Sequence, residues 1–79
     1  MDERDHLAQA DRHISEAEQH IADQEQRIAD LDTAGHDTAE SRRFLGLLRD
    51  TLEQMQIHRR MILERIALEL AEGRRQPQP

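Results

Sequence analysis

Cysteine, tryptophan, tyrosine and lysine are absent from these 79 residues, Phe44 is the sole aromatic, and there are three glycines and two prolines. Without cysteine there is no disulfide and no thiolate metal site, which suits a reducing compartment. With 35% of residues hydrophobic and another 35% charged, long helices sharing a narrow seam are expected rather than a broad core. No run approaches the ~20 apolar residues that span a bilayer, and Met1-Asp2-Glu3-Arg4-Asp5 lacks a basic segment leading into an apolar one. The expectation is a soluble, cytoplasmic chain. There is no glycine-rich phosphate loop, and Ser15 and Ser41 fall in helical stretches without an evident base and orienter, so an enzyme is not expected.

The pattern that is present is a heptad. Leu7, Ile14, Ile21 and Ile28 recur every seven residues, with Ala10, Ala17, Gln24 and Leu31 three places after each, the mark of a helix that lies against another helix. Gly35 breaks this pattern and can take the left-handed conformation that ends a helix. Asp37-Thr38-Ala39-Glu40 then reads as a capping box, with Asp37 or Thr38 at the N-cap and Glu40 near the third helical position. A second stop is expected at Gly73, followed by a disordered tail over 74–79 whose two prolines cannot continue a helix. The chain has room for one domain, a helical hairpin over 1–73. Its first helix covers about 3–34, its turn 35–37 and its second helix about 38–72, each roughly 50 Å long. The fold class is all-α, an antiparallel hairpin of two long helices. Pairing residues whose numbers sum to about 73 sets Ile28 opposite Leu45, Ile21 opposite Leu52 and Leu7 opposite Ile66.

Helix 2 carries more apolar surface than the hairpin uses. One seam runs through Leu45, Leu48, Leu52, Met55, Arg59, Ile62 and Ile66, and a second runs beside it through Phe44, Leu47, Thr51, His58, Met61 and Leu68. Helix 1 can cover only one of them. The second stripe, together with Leu63 and Leu70, is therefore expected to be exposed in a single hairpin and to close a homodimeric four-helix bundle. Net charge is −6, distributed as −7 over residues 1–35 and +1 over 36–79, which favours helix 1 packing on helix 2. Gly46 inside helix 2 marks either a close backbone contact or a tolerated change, and Ile57 is a candidate contact that projects away from both seams.

Chemistry-bearing residues are few. His6, His13 and His20 recur every seven residues along the edge of the seam, and with His58 they are the candidate metal ligands. Residues seven apart on one helix lie ~10.5 Å apart, too far to share an ion unless another helix contributes. A di-metal site of the Glu-x-x-His type is matched only at Glu3 and His6. No cofactor is expected. Five histidines could instead charge together on acidification, since the reference value for the side chain is ~6.5. Flanking histidines that hydrogen-bond nearby carboxylates are the simpler expectation. Arg59 falls in the seam, where its stem can pack and its guanidinium reach Glu16 or Asp11; as a polar core residue it can also fix register and oligomeric state. The remaining arginines of helix 2 are interleaved with Asp50, Glu53 and Glu64, which suggests a solvated face with i, i+4 ion pairs. The acidic balance and lack of stacking aromatics argue against a nucleic-acid partner.

The runs Ala10-Asp11-Arg12-His13-Ile14-Ser15-Glu16-Ala17-Glu18, Gly35-His36-Asp37-Thr38 and His58-Arg59-Arg60-Met61-Ile62 resemble small uncharacterised bacterial proteins of the helical-hairpin kind. That resemblance carries no activity. In architecture the chain also resembles the Rop family, dimeric hairpins that bind paired RNA loops, which implies a nucleic-acid regulator. From the residues themselves, the expected function is a non-enzymatic structural or protein-interaction module, a homodimer that binds a protein partner as a small chaperone or adaptor. A metal- or pH-responsive bundle is the alternative.

Overall fold

A computed structural model of the chain describes residues 2–75. They form two helices, α1 (Glu3–Thr33) and α2 (Ala39–Arg75), and no strand occurs among them. Asp32 meets Arg42 beside the connection and Glu3 meets Arg65 near the far end, so the two helices run antiparallel as a hairpin. The rod is 15 Å across in both short dimensions.

Each helix boundary has a local cause. The Asp2 carboxylate accepts from the Arg4 and Asp5 backbone N–H groups at 2.9 and 3.0 Å, satisfying two donors that the start of α1 leaves free. Glu3 and Asp5 add negative charge to the first turn, where the helix dipole favours it. At the other end Gly35 takes φ +79°, the only positive φ among the described residues. The His36 N–H donates to the Leu31 carbonyl at 2.9 Å and the Gly35 N–H to the Asp32 carbonyl at 3.0 Å, the two bonds of a Schellman motif.

The start of α2 differs from the expected capping box. Thr38 precedes the helix, and its carbonyl accepts the first helical bond, from the Arg42 N–H at 2.9 Å. Glu40 therefore stands at the second helical position, one residue short of where it could reach back to the cap. The Asp37 carboxylate takes the Ala39 N–H at 3.0 Å. The Thr38 hydroxyl, in a buried residue, instead joins side chains: it donates to Asp32 Oδ1 at 3.3 Å and accepts from Arg42 Nε at 2.9 Å. Thr38, Asp32 and Arg42 thus tie the end of α1 to the start of α2.

Gly73 does not stop α2, which runs on to Arg75. Glycine costs a helix about 1 kcal/mol without being unable to adopt its dihedrals, and here it lacks the left-handed φ that ends α1. Of the expected tail, 74 and 75 are helical, and 76–79 lie outside the described residues. Gly46 makes no close backbone contact either, since a Cβ added there would meet nothing within 4 Å.

The seam is shallow. Ile21, Ile28 and Leu45 form the core cluster with Leu48 and Leu52 packed against it, and Ala10 and Ile62 are buried farther along. Leu7, Ile14, Ala17, Gln24 and Leu31 of α1 and Met55, Arg59 and Ile66 of α2 are half-buried. The Gln24 amide donates to the Ser41 carbonyl at 3.0 Å, which meets its polar demand inside the seam. The cross-helix ion pairs join residues whose numbers sum to 74 at Arg42 and Arg49, 70 at Arg59 and 68 at Arg65. The expected value of 73 describes the turn end, and the paired residues have lower sums nearer the termini.

Two glycine replacements should move stability in opposite directions. Gly35→Ala should cost about 1–2 kcal/mol, the penalty of a left-handed L-residue, because the added Cβ itself meets nothing within 4 Å. Gly46→Ala should gain about 1 kcal/mol from helix propensity. Urea unfolding followed by circular dichroism at one fixed protein concentration reads both, and a Gly35→Ala variant as stable as the parent would contradict the assigned backbone.

Candidate interaction surface

A two-helix seam has two edges, and in this hairpin they are chemically unlike. One is closed by charge. Arg42 Nη2 lies 2.6 Å from Asp32 Oδ2, Arg49 Nη2 lies 3.6 Å from Glu25 Oε2, and Arg59 Nε donates to Asp11 Oδ1 at 2.5 Å. Acids of α1 and arginines of α2 thus bridge the seam along this side. The arginines were expected to pair within their own helix; only Arg65 with Glu69 does so at i, i+4 among the described pairs, at 3.6 Å. Arg59 keeps its stem in the seam and sends its guanidinium out to Asp11, one of the two acids anticipated for it.

The other edge is open. Antiparallel packing brings together the residues that precede the seam positions in each helix: His6, His13, His20 and Arg27 from α1, and Phe44, Thr51, His58 and Arg65 from α2. His20 and Arg27 line a groove with Phe44 and Leu48 near the turn. Nearer the termini, His6 and Glu3 line another with His58, Met61 and Arg65. Leu47, Met61 and Leu68 stand one step farther out on α2 and are 59%, 60% and 62% exposed, with Phe44 at 50%. Thr51 and His58 are exposed as well, and the Thr51 hydroxyl spends its proton on the Leu47 carbonyl of its own helix at 3.0 Å. Leu63 and Leu70 are exposed too, with Leu63 beside Asp11 and Arg59 on the charged edge. Ile57 is half-buried rather than free.

The candidate metal ligands are spread along the open edge. His6 and His58 share one groove with Glu3. His6 Nδ1 is 3.7 Å from Glu3 Oε2, beyond hydrogen-bond reach, and the other oxygen of that carboxylate lies 3.5 Å from Arg65 Nε. His20 stands in the groove near the turn and His13 between the two. Among the described residues no group of three or more histidines, aspartates or glutamates is placed to hold a metal ion. None of the described helices is long and apolar enough to cross a membrane.

The sequence had yielded the histidine stripe and the surplus apolar stripe as separate features. Their meeting on one edge follows from the heptad positions, since both series sit immediately before a seam residue and an antiparallel partner turns those positions to the same side. No family model matches this chain, and no curated protein or solved structure matches it. The surface itself therefore carries the functional argument.

Arg59 offers a direct check on the charged edge. The Arg59 and Asp11 side chains are 39% and 53% exposed, and a pair so solvated is worth less than about 1 kcal/mol. Arg59→Leu should leave the urea midpoint of the hairpin unchanged or higher, because leucine restores an apolar seam residue. A loss above about 2 kcal/mol would mean that the pair is a principal support of the hairpin.

Proposed function

We propose that the protein is a non-enzymatic interaction module that works as a homodimer, two hairpins closing a four-helix bundle through the open edge, and that the dimer presents its outer faces to a protein partner as a small adaptor or chaperone. The observation that carries the reading is the line of Phe44, Leu47, Met61 and Leu68, each at least half exposed along one side of α2. Exposed apolar side chains aligned on one face and rimmed by polar residues are the mark of an interaction site. The total area supports it. The chain exposes 6537 Å², where a compact monomer of its 9.3 kDa exposes about 5,000 Å². The excess is larger than the roughly 800 Å² that each partner gives to a standard interface.

Shape supports the same reading. No side chain among the described residues falls below 2% exposure, so the hairpin encloses nothing completely. A second layer laid on the open edge would bury the outer row of α2 and complete the covering of Leu48 and Met55. The contrast between the edges supports a single interface: one side of the seam is spanned by ion pairs along its length, while the other has the pair of Glu3 and Arg65 near the termini and otherwise offers apolar side chains and imidazoles.

Light scattering at micromolar concentration should give twice the chain mass. Leu47→Glu combined with Met61→Glu places four carboxylates in the bundle and should return the mass to that of one chain while circular dichroism still shows helix. A parent protein that is monomeric under these conditions would overturn the dimer.

A further inference from the structure

We propose that the two copies stack with their two-fold axis perpendicular to the helices, so that α2 lies antiparallel on α2 of the second copy and α1 on α1 of the second copy. The inference rests on the dimer reading above and specifies how the partner is seated. Two layers of antiparallel helices can meet around a two-fold axis that runs either along the helices or across them. The first choice places α1 over α2 of the other copy with both turns at one end. The second places like over like with the turns at opposite ends. The residues on the open edge discriminate between them.

The internal register sets which residues stand at one level. Ile14 and Gln56 line one groove and Asp11 bonds Arg59, so the part of α1 between Ile14 and Ser15 is level with residue 56 of α2. An axis crossing the rod there reverses both stripes about the same point. On α2 the reversal brings Phe44 to Leu68 of the second copy and Met61 to Thr51 of the second copy. Leu47 then lies along the aliphatic stem of Arg65 of the second copy, whose charged end can extend past it. Gln54 and His58 of the second copy meet beside the axis, so the polar centre of the stripe pairs with itself.

The same axis sorts the charges of α1. It brings His6 to Asp23 of the second copy, His13 to Glu16 of the second copy and Arg27 to Asp2 of the second copy, each repeated by symmetry, with Gln9 facing His20 of the second copy. Asp23 has only the neutral Gln19 amide as its hydrogen-bond partner, at 2.9 Å, and keeps its charge available for a partner. An imidazole can serve such a carboxylate as a hydrogen-bond donor in either protonation state. The same operation sets Glu40 against Glu72 of the second copy at the two ends of the stripe, where both are exposed and water and salt screen them; between those ends, the pattern on α2 and the alternating imidazole and carboxylate on α1 are both matched by one operation.

An axis along the helices matches neither. It sets Asp2 against Leu68 of the second copy and Asp23 against Leu47 of the second copy, pressing carboxylates onto apolar side chains, which costs free energy with nothing to compensate. It also sets His6 against Arg65 of the second copy, two groups that can only donate or repel when the imidazole is charged.

The absence of cysteine makes the test simple. Ala39→Cys, at an exposed position in the first turn of α2 and off the open edge, takes a single nitroxide label, and the distance between the two labels of a dimer is read by pulsed electron spin resonance. An axis across residue 56 places the two labels about 50 Å apart, from ~1.5 Å per residue over seventeen residues on each side. An axis along the helices places them at one end, under about 30 Å apart for helices packed 8–10 Å from their neighbours. Light scattering on the same labelled protein separates the two readings. A dimer with the long distance supports the proposal, a dimer with the short distance overturns the orientation alone, and a monomer overturns the dimer and the orientation with it.

Discussion

Everything in this molecule follows from a seam too narrow to bury what the chain brings to it. Two helices in contact share one row of interlocked side chains on each, and α1 contributes alanine at two of its inner positions, Ala10 and Ala17. The helices can approach closely, but the pocket between them is filled chiefly by Ile21, Ile28, Leu45 and Ile62. In a globular domain a third element would cover the flanks of such a row. Here none is available among the described residues, so each edge is satisfied by other means, and the two edges use different ones. The acids of α1 and the arginines of α2 span one edge with charge. That solution is weak per pair, because the groups are solvated, but it leaves no apolar side chain waiting except Leu63 and Leu70. The opposite edge has one such bridge, Glu3 with Arg65 near the termini, and leaves Phe44, Leu47, Met61 and Leu68 exposed.

The turn shows how few residues are needed to impose this geometry. Gly35 supplies the single left-handed residue among those described, and its Schellman bonds turn the chain out of α1. Thr38 is the only buried polar residue among those described, and its hydroxyl is shared between Asp32 and Arg42 across the connection. This arrangement links backbone direction to edge chemistry. Asp32 and Arg42 form the first rung of the charged edge, so the connection that reverses the chain also decides which side of the seam receives the ion pairs. The other side is thereby left to the histidines and to α2's outer row.

Much of this was legible in the sequence, for reasons of period. The seven-residue recurrence of Leu7, Ile14, Ile21 and Ile28 and the double seam of α2 are properties of side-chain order alone, and the observed exposure follows them: every member of the inner seam is buried or half-buried, and every member of the outer stripe is exposed. Gly35 was legible because one residue type dominates the left-handed C-terminal position. The readings that differ concern choices that periodicity does not make. Glu40 was one residue out of register for a capping box because the helix begins after Thr38 rather than after Asp37, and both residues are good caps. Gly73 resembled Gly35 in type but continues a helix, since a glycine ends one only where the chain beyond it turns away. The cross-helix arginine bridges were hidden because an arginine three or four residues from an acid looks the same whether it bonds along its helix or across the seam. Which edge the histidines occupy required the antiparallel register as well as the heptad.

The balance between the edges also bears on how folding and association relate. An isolated hairpin of this kind gains little from its core, since none of the described side chains is fully withdrawn from water and helix propensity alone leaves long polar helices marginal. If the open edge is closed by a second copy, a large share of the burial that stabilises each helix is intermolecular, and the folded state of one chain depends on the concentration of the other. The polar content of the open edge then has a clear role. A stripe of leucine and phenylalanine throughout would accept any apolar helix in any register. Thr51, Gln54 and His58 at its centre, and the imidazoles and carboxylates of α1 beside it, restrict the partner to one that answers each polar group, at some cost in strength. A surface that is apolar at its ends and polar at its middle matches its own reversed copy better than it matches a uniformly greasy helix, and this is why the second copy, rather than an arbitrary amphipathic segment, is the occupant that the chemistry of the edge favours.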